Sequence, residues 1–278
     1  MKMPSTVSPQ PSALDGGDPE RRADRAWRRW GRCVVAVLAP FAVWEGASRT
    51  LLNTVLVPPP TVVAVTAWEM VQTREIFLHI AISLRRIFVG FALGSTIGIT
   101  LGAVVARSRV ARDLLQPLLG VCAAVPPIAL IPLAMVWFGI DETARLLLIT
   151  YLAAVLMVPS TTGGVRAIPP IRIRAAEALG ARQAQIYLRV VVPAAFPSIL
   201  TGLRVTLGLC FMVVVAAEMI GANSGVGYLI MASRYNAVTA KMFVGILVLG
   251  TMGCAFDALF RRLVARGLPR FAIEKRTG

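Results

Sequence analysis

The chain has 278 residues, of which 56% are hydrophobic and only 15% charged, and its mean hydropathy is +0.71. Soluble domains carry about 25% charged residues, so this composition excludes an ordinary soluble domain and indicates a protein that lies largely within a membrane. The 29 Lys and Arg residues against 14 Asp and Glu give a net charge of +15. Membrane proteins concentrate basic residues in their cytoplasmic loops, which explains this excess without a nucleic-acid partner.

The N-terminal segment and the rare metal-binding residues exclude several other classes. Residues 1–30 are polar, charged and rich in proline, which predicts a disordered cytoplasmic tail rather than a cleaved signal peptide. The four cysteines lie in apolar stretches without metal-ligand spacing, and His79 is the one histidine. We therefore predict no metal, cofactor or catalytic site in this chain.

Six stretches are apolar and long enough to cross a hydrocarbon core of about 30 Å. In chain order they are 33–52, 87–106, 114–140, 146–165, 199–220 and 242–260. They predict an all-α membrane protein with about six transmembrane helices and a permease-like domain over 31–262. The intervening segment 58–86 is too polar to span, and its Trp68, Met70 and Val71 predict an amphipathic helix at the outer interface.

The basic residues predict the orientation of these spans. With the N-terminus inside, 21 of the 29 Lys and Arg residues fall in cytoplasmic segments. These segments are 1–32, 107–113, 166–189 and 261–278. The bias favours both termini inside, with 263–278 as a cytoplasmic C-terminal tail.

The second predicted span carries a stripe of four glycines, each four residues after the last. They are Gly90, Gly94, Gly98 and Gly102. Because residues four apart share a helix face, the stripe lets a neighbouring backbone approach closely. It predicts close helix packing within one subunit, and a contact between two subunits is the alternative.

Prolines concentrate in the third predicted span, at positions 117, 126, 127 and 132. Proline removes a backbone hydrogen bond, so they predict a kinked or broken helix. Freed carbonyl groups inside a membrane must face protein or a water-filled path.

The cytoplasmic segment 166–193 has the features of two short exposed helices. Pro170 opens the first, Gly180 ends it, and Pro193 opens the fifth span after a second short helix. Small residues at 175, 176, 178 and 181 leave little side-chain bulk. A helix of this kind at a membrane surface fits the groove of a partner protein.

This segment resembles the inner-membrane permeases of binding-protein-dependent ABC importers. Their cytoplasmic motif is Glu-Ala-Ala, a Gly four residues after the second Ala, then nine residues and Ile-x-Leu-Pro; here Ala175, Ala176, Gly180 and 190–193 match it. Arg174 replaces the leading Glu, with Glu177 three residues on. The resemblance covers about 30–270, and 137–142 and 217–229 are similar to the sulfonate, taurine and nitrate subfamily.

The resemblance implies a type I ABC importer permease fold and a passive transport subunit at the bacterial inner membrane. Two copies of a separate ATPase, which bind ATP and Mg, would dock at the coupling segment. The residues implied in that contact are Arg174, Ala175, Ala176, Glu177, Gly180, Ala181 and Pro193. An external binding protein would deliver a small anionic solute to a permease homodimer. The chain has no G-x-x-x-x-G-K-[ST] phosphate loop, which agrees with a separate ATPase.

Two residues near the outer end of the fifth span are candidates for the translocation path or gate, Glu218 and Asn223. A carboxylate at membrane depth faces a bundle interior or a water-filled cavity. The alternative for Glu218 is a buried structural pair with Arg145 or Arg234. Arg204, nearer the inside, is expected to extend to the inner lipid headgroups.

Other functions remain open at this point. The same mechanism could import a thiamine precursor or an aromatic acid. A secondary transporter driven by an ion gradient would belong to a different class, but such folds show polar residues at the bilayer midplane, and the second, third and fourth spans carry no charge.

Overall fold

The computed structural model describes residues 39–267, and within that range it contains helices and loops but no strand. The chain divides into two units, Met1–Pro60 and Thr61–Gly278. In the first unit, helix α1 is described over 39–50, where the Arg49 Nε donates to a carboxylate oxygen of Glu45 at 2.5 Å. The predicted N-terminal tail and the C-terminal tail beyond 267 lie outside the described residues.

The helices that follow α1 are connected by short turns. They are α2 (Pro60–Gln72), α3 (Glu75–Arg107), α4 (Arg109–Ala124), α5 (Ile131–Phe138), α6 (Glu142–Arg166), α7 (Pro170–Ala178), α8 (Gln183–Ile186), α9 (Val192–Gly221), α10 (Val226–Tyr235) and α11 (Thr239–Gly267). A 3₁₀ turn at Pro127–Leu130 precedes α5, and a π turn at Tyr187–Val191 precedes α9.

Four stretches of the described chain are long and apolar enough to cross a membrane: α3, α6, the continuous stretch Gln183–Tyr235 and α11. The pair α4 and α5, bent by 84°, makes a fifth if it counts as one span. Five of the six predicted spans are thereby located. The remaining one, 33–52, lies partly outside the described residues.

Helix α3 begins twelve residues earlier than the predicted span, at Glu75, so the prediction that all of 58–86 lies outside the spans is wrong. At 33 residues the helix is about 50 Å long. The hydropathy of 75–86 is low because it carries charged groups, but these find partners inside the protein: Glu75 pairs with Lys241 at 3.0 Å.

The core lies where α3, α6 and α9 meet, around Ile87, Ile149 and Val214, which have no exposed surface. Helices α3 and α6 run parallel along the glycine stripe. A Cβ at Gly94 would lie 2.3 Å from the carbonyl oxygen of Thr150, so the two backbones are in direct contact there. This contact fixes the relative height of the two helices within one subunit.

The bend between α4 and α5 falls at Pro126 and Pro127, among the predicted prolines. Val125 is extended, as the residue before a proline favours, and Pro126 has no N–H to offer the Cys122 carbonyl. The Tyr151 hydroxyl on α6 donates to that carbonyl at 2.6 Å. A neighbouring helix therefore satisfies the backbone group that the proline leaves without its usual partner.

Candidate functional site: an exposed helix and a buried clamp

The first candidate site is helix α7, whose boundaries confirm the predicted short helix. Pro170 lies in its first turn, and Gly180 follows its end with φ +77°. The Ala181 N–H donates to the Ala176 carbonyl and the Gly180 N–H to the Glu177 carbonyl, at 3.1 and 2.9 Å. This pair of bonds is the Schellman motif, which requires a left-handed residue at Gly180 and turns the chain sharply away from α7.

One side of α7 packs on its own chain. Ile173 and Ala176 lie against a small apolar cluster of Ile168, Ile186 and Val191. Because this cluster joins α7 to the start of α9, a force on α7 reaches a long helix directly.

The other side of α7 is open. Ala175, Ala178, Arg174 and Glu177 are exposed, and the Leu179 side chain that follows the helix is 88% exposed. Pro193 stands in the first turn of α9, directly after the π turn. The predicted coupling residues therefore lie on one short surface, but Ala176 and Ala181 face its supporting cluster.

The second candidate site is a buried polar cluster at the opposite end of α9, where Arg86 lies between two carboxylates. Its Nη1 donates to Glu218 at 2.7 Å, and its Nε donates to Glu142 at 2.9 Å. The side chains of Arg86 and Glu218 are 1% and 0% exposed, whereas Glu142 is 38% exposed. The cation is thus removed from solvent and the outer carboxylate is not.

Glu218 also accepts two further hydrogen bonds. The Ser83 hydroxyl lies 2.8 and 2.9 Å from its two oxygens, and the Gly227 N–H donates to Oε2 at 2.9 Å. A buried ion pair is tolerated only when such bonds satisfy the remaining polar atoms. The expected partners Arg145 and Arg234 are wrong: Arg145 donates instead to the Gly221 carbonyl, and Arg234 is exposed.

These contacts fasten the corner between α9 and α10, which we call the corner clamp (His79, Ser83, Arg86, Arg145 and Glu218). At the start of α10, the Gly225 N–H donates to His79 Nδ1 at 3.1 Å and the Val226 N–H to Ser83 Oγ at 2.9 Å. Helix N-termini leave such donors unpaired, and a carboxylate near them is favourable. Side chains from α3, α6 and α9 therefore hold the beginning of α10.

The Gly225 backbone is part of this clamp. Its φ is +113°, and a Cβ there would lie 2.3 Å from the Glu218 carboxyl group. Asn223 lies at the same corner but is exposed. The two residues predicted for a path or gate are therefore in different surroundings, one fully buried and the other at the surface.

Arg86 and Ser83 were absent from the sequence-based site, although one signal pointed to them. Extending the glycine stripe backwards from Gly90 by three or four residues reaches Arg86, Ser83 and His79, all buried on the same face of α3. In the described part of the chain, no group of His, Cys, Asp and Glu side chains has the arrangement of a metal site.

Comparison with known proteins places this architecture in a family. Residues 94–267 match the model of the binding-protein-dependent transport system inner membrane component. The putative aliphatic sulfonates transport permease protein SsuC of Bacillus subtilis is 34% identical over 241 residues, covering 86% of this chain and 87% of that protein. The taurine transport system permease protein TauC of Escherichia coli is 34% identical over 232 residues, covering 81% and 84%.

Solved structures show the same fold at lower identity. The MetNI methionine ABC transporter, in an inward-facing conformation, gives a TM-score of 0.58 at 21% identity and covers 70% of this chain and 95% of that chain. An amino acid ABC transporter gives a TM-score of 0.60 at 18% identity, covering 73% and 97%.

The chain belongs to the inner-membrane components of binding-protein-dependent transport systems. It is a membrane-embedded permease subunit of an ABC importer, with the type I fold, and its relatives are transport proteins rather than enzymes. An ATPase and a substrate-binding protein are its expected partners as a class. The predicted family and fold are therefore confirmed.

Proposed function

We propose that this permease imports a small anionic solute of the sulfonate, taurine or nitrate type. The support is the agreement among relatives: two are named for aliphatic sulfonates or taurine, and the nitrate import permease NrtB of Leptolyngbya laminosa is 30% identical over 194 residues, covering 70% of each chain. A thiamine precursor or an aromatic acid would use the same machinery and forms the alternative.

The observation that carries the mechanism is the exposed surface of α7. Its small side chains, beside the 88% exposed Leu179, leave room for a groove of the ATPase to close around it. Two ATPase subunits with bound ATP and Mg would each hold one α7, in a homodimer of this permease. Ala175, Ala178 and Leu179 form the contact in this proposal, and Arg174 takes the place of the family's leading Glu.

The orientation follows from the same contact. If ATPase subunits bind α7, the end of the bundle that carries α7 is cytoplasmic, and both chain termini are cytoplasmic as the basic residues predict. The corner clamp then lies at the outer end. Glu218 acts there as a structural anchor, and the exposed Asn223 is the better candidate for contact with the solute or its binding protein.

Energised uptake tests this proposal. Proteoliposomes that contain the permease, its ATPase and the binding protein are expected to accumulate labelled taurine or an alkanesulfonate only when ATP is supplied. Competition by nitrate, a thiamine precursor and an aromatic acid would rank the candidate solutes. Uptake that follows an ion gradient and needs no ATP would contradict the mechanism and favour the secondary transporter.

A further inference from the structure

A narrow apolar groove runs between α9 and α11, with a volume of about 90 Å³. Its floor is open because Gly208 and Gly253 lack side chains, and a Cβ at either position would meet no atom within 4 Å. Phe211 and Phe256, whose ring centroids are 5.4 Å apart, form its wall. Neither the proposed ATPase contact nor the corner clamp uses this groove.

Charged side chains close one end of the groove. Arg204 Nε on α9 donates to Asp257 on α11 at 2.7 Å, and Arg261 pairs with the same carboxylate at 3.1 Å. All three side chains are more than one third exposed. Two cations against one anion leave a local charge of +1, so this end favours an additional negative group.

The groove and its charged end have a consistent direction. Helices α9 and α11 are antiparallel, and Gly208 and Gly253 each lie four residues from the ion pair, about 6 Å further from the α7 end. The charges therefore lie toward the α7 end and the apolar groove extends toward the interior of the bundle. An amphiphile with its anionic head at the α7 end matches this order.

We infer that the groove between α9 and α11 is a binding site for an anionic phospholipid, with its phosphate at Arg204 and Arg261 and one acyl chain along Gly208 and Gly253. Basic pockets between membrane helices bind anionic headgroups by this chemistry. A helix of a second subunit, about 10 Å across, is too wide for a space of about 90 Å³, whereas an acyl chain fits. Assignment to the inner leaflet rests on the proposed function, because it assumes that α7 is cytoplasmic.

Lipid retention measured by native mass spectrometry tests the site. The full-length permease is purified in detergent with equal amounts of dioleoyl phosphatidylglycerol and dioleoyl phosphatidylcholine. We expect the anionic lipid to be retained about fivefold over the neutral one, the preference that one net positive charge provides. Arg261→Gln is expected to bring the ratio close to one, because it removes that net charge.

A matched pair of glycine variants tests the groove itself. Gly253→Leu fills the groove and is expected to lower retention of both lipids, whereas Gly250→Leu, on the same helix but outside the groove, leaves retention unchanged. Glycerol phosphate without acyl chains is expected not to displace the lipid. Equal retention of both lipids by the wild type, or a preference that survives Arg261→Gln and Gly253→Leu, would overturn the inference. The measurement needs neither ATPase nor transport, so its outcome is independent of the proposed function.

Discussion

Replacing Glu218 by Leu is expected to destabilise the permease more than any surface substitution, by about 3–5 kcal/mol of unfolding free energy. The variant leaves the buried Arg86 Nη1 without its carboxylate and removes the acceptor for the Gly227 N–H. Both groups lie where water does not replace the lost bonds. Thermal unfolding of the detergent-solubilised protein, followed by size-exclusion chromatography, measures the effect.

Two further variants keep this prediction sharp. Glu69→Leu, at an exposed glutamate on α2, is the matched control and should melt close to the wild type. The double variant Arg86→Met with Glu218→Leu should be less damaged than Glu218→Leu alone, because no unpaired cation remains buried and Glu142 is partly solvated. A Glu218→Leu protein that melts with the wild type would show that the corner clamp does not stabilise the fold.

Placing a bulky side chain on the open side of α7 is expected to abolish ATPase binding and leave the permease folded. Ala178 is exposed, so Ala178→Trp adds volume only where a partner's groove would close. We expect at least about a tenfold fall in copurified ATPase, the loss that follows from a weakening of about 1.4 kcal/mol at a contact centre. Quantitative copurification of tagged permease with the ATPase provides the measurement.

The control for this substitution is Ala64→Trp on α2, which is also exposed and helical but belongs to the opposite end of the bundle. Trp costs a few tenths of a kcal/mol in any helix, so both variants carry the same intrinsic penalty. Full ATPase recovery with Ala178→Trp, or equal loss with Ala64→Trp, would remove α7 as the specific contact.

Local features of the fold were predictable where a single residue type decides the backbone. Pro170 and Gly180 fixed the limits of α7, because proline suits a first helical turn and glycine adopts the left-handed conformation that follows the last. The spacing from Gly90 to Gly102 predicted a close helix contact, and α3 meets α6 along those positions. Neither inference needs knowledge of the rest of the chain.

Residues whose role depends on a distant partner were missed. Hydropathy ended the second span before Arg86, because a charged side chain is unfavourable in lipid unless it is paired. Its partners Glu142 and Glu218 are 56 and 132 residues away along the chain. The sequence alone therefore offered Arg145 or Arg234 for Glu218, and tertiary packing selected neither.

Arg204 shows the same limit. Its position predicted an extended side chain that reaches the inner headgroups, and the structure pairs it with Asp257 on the neighbouring helix. The prolines likewise predicted a break in the third span, but its 84° angle depends on packing against α6, where Tyr151 receives the exposed carbonyl.

Cross-linking from Leu179 tests the mechanism most directly. A photoreactive amino acid at this position, at the exposed end of α7, should form an adduct with the ATPase subunit in membranes that contain both proteins, and the yield should change when ATP is added. The same group at Asn223, at the corner clamp, should form no such adduct. Labelling of position 179 by a membrane-impermeant reagent from outside intact cells, with no ATPase adduct, would contradict the proposal that α7 couples ATP hydrolysis to transport.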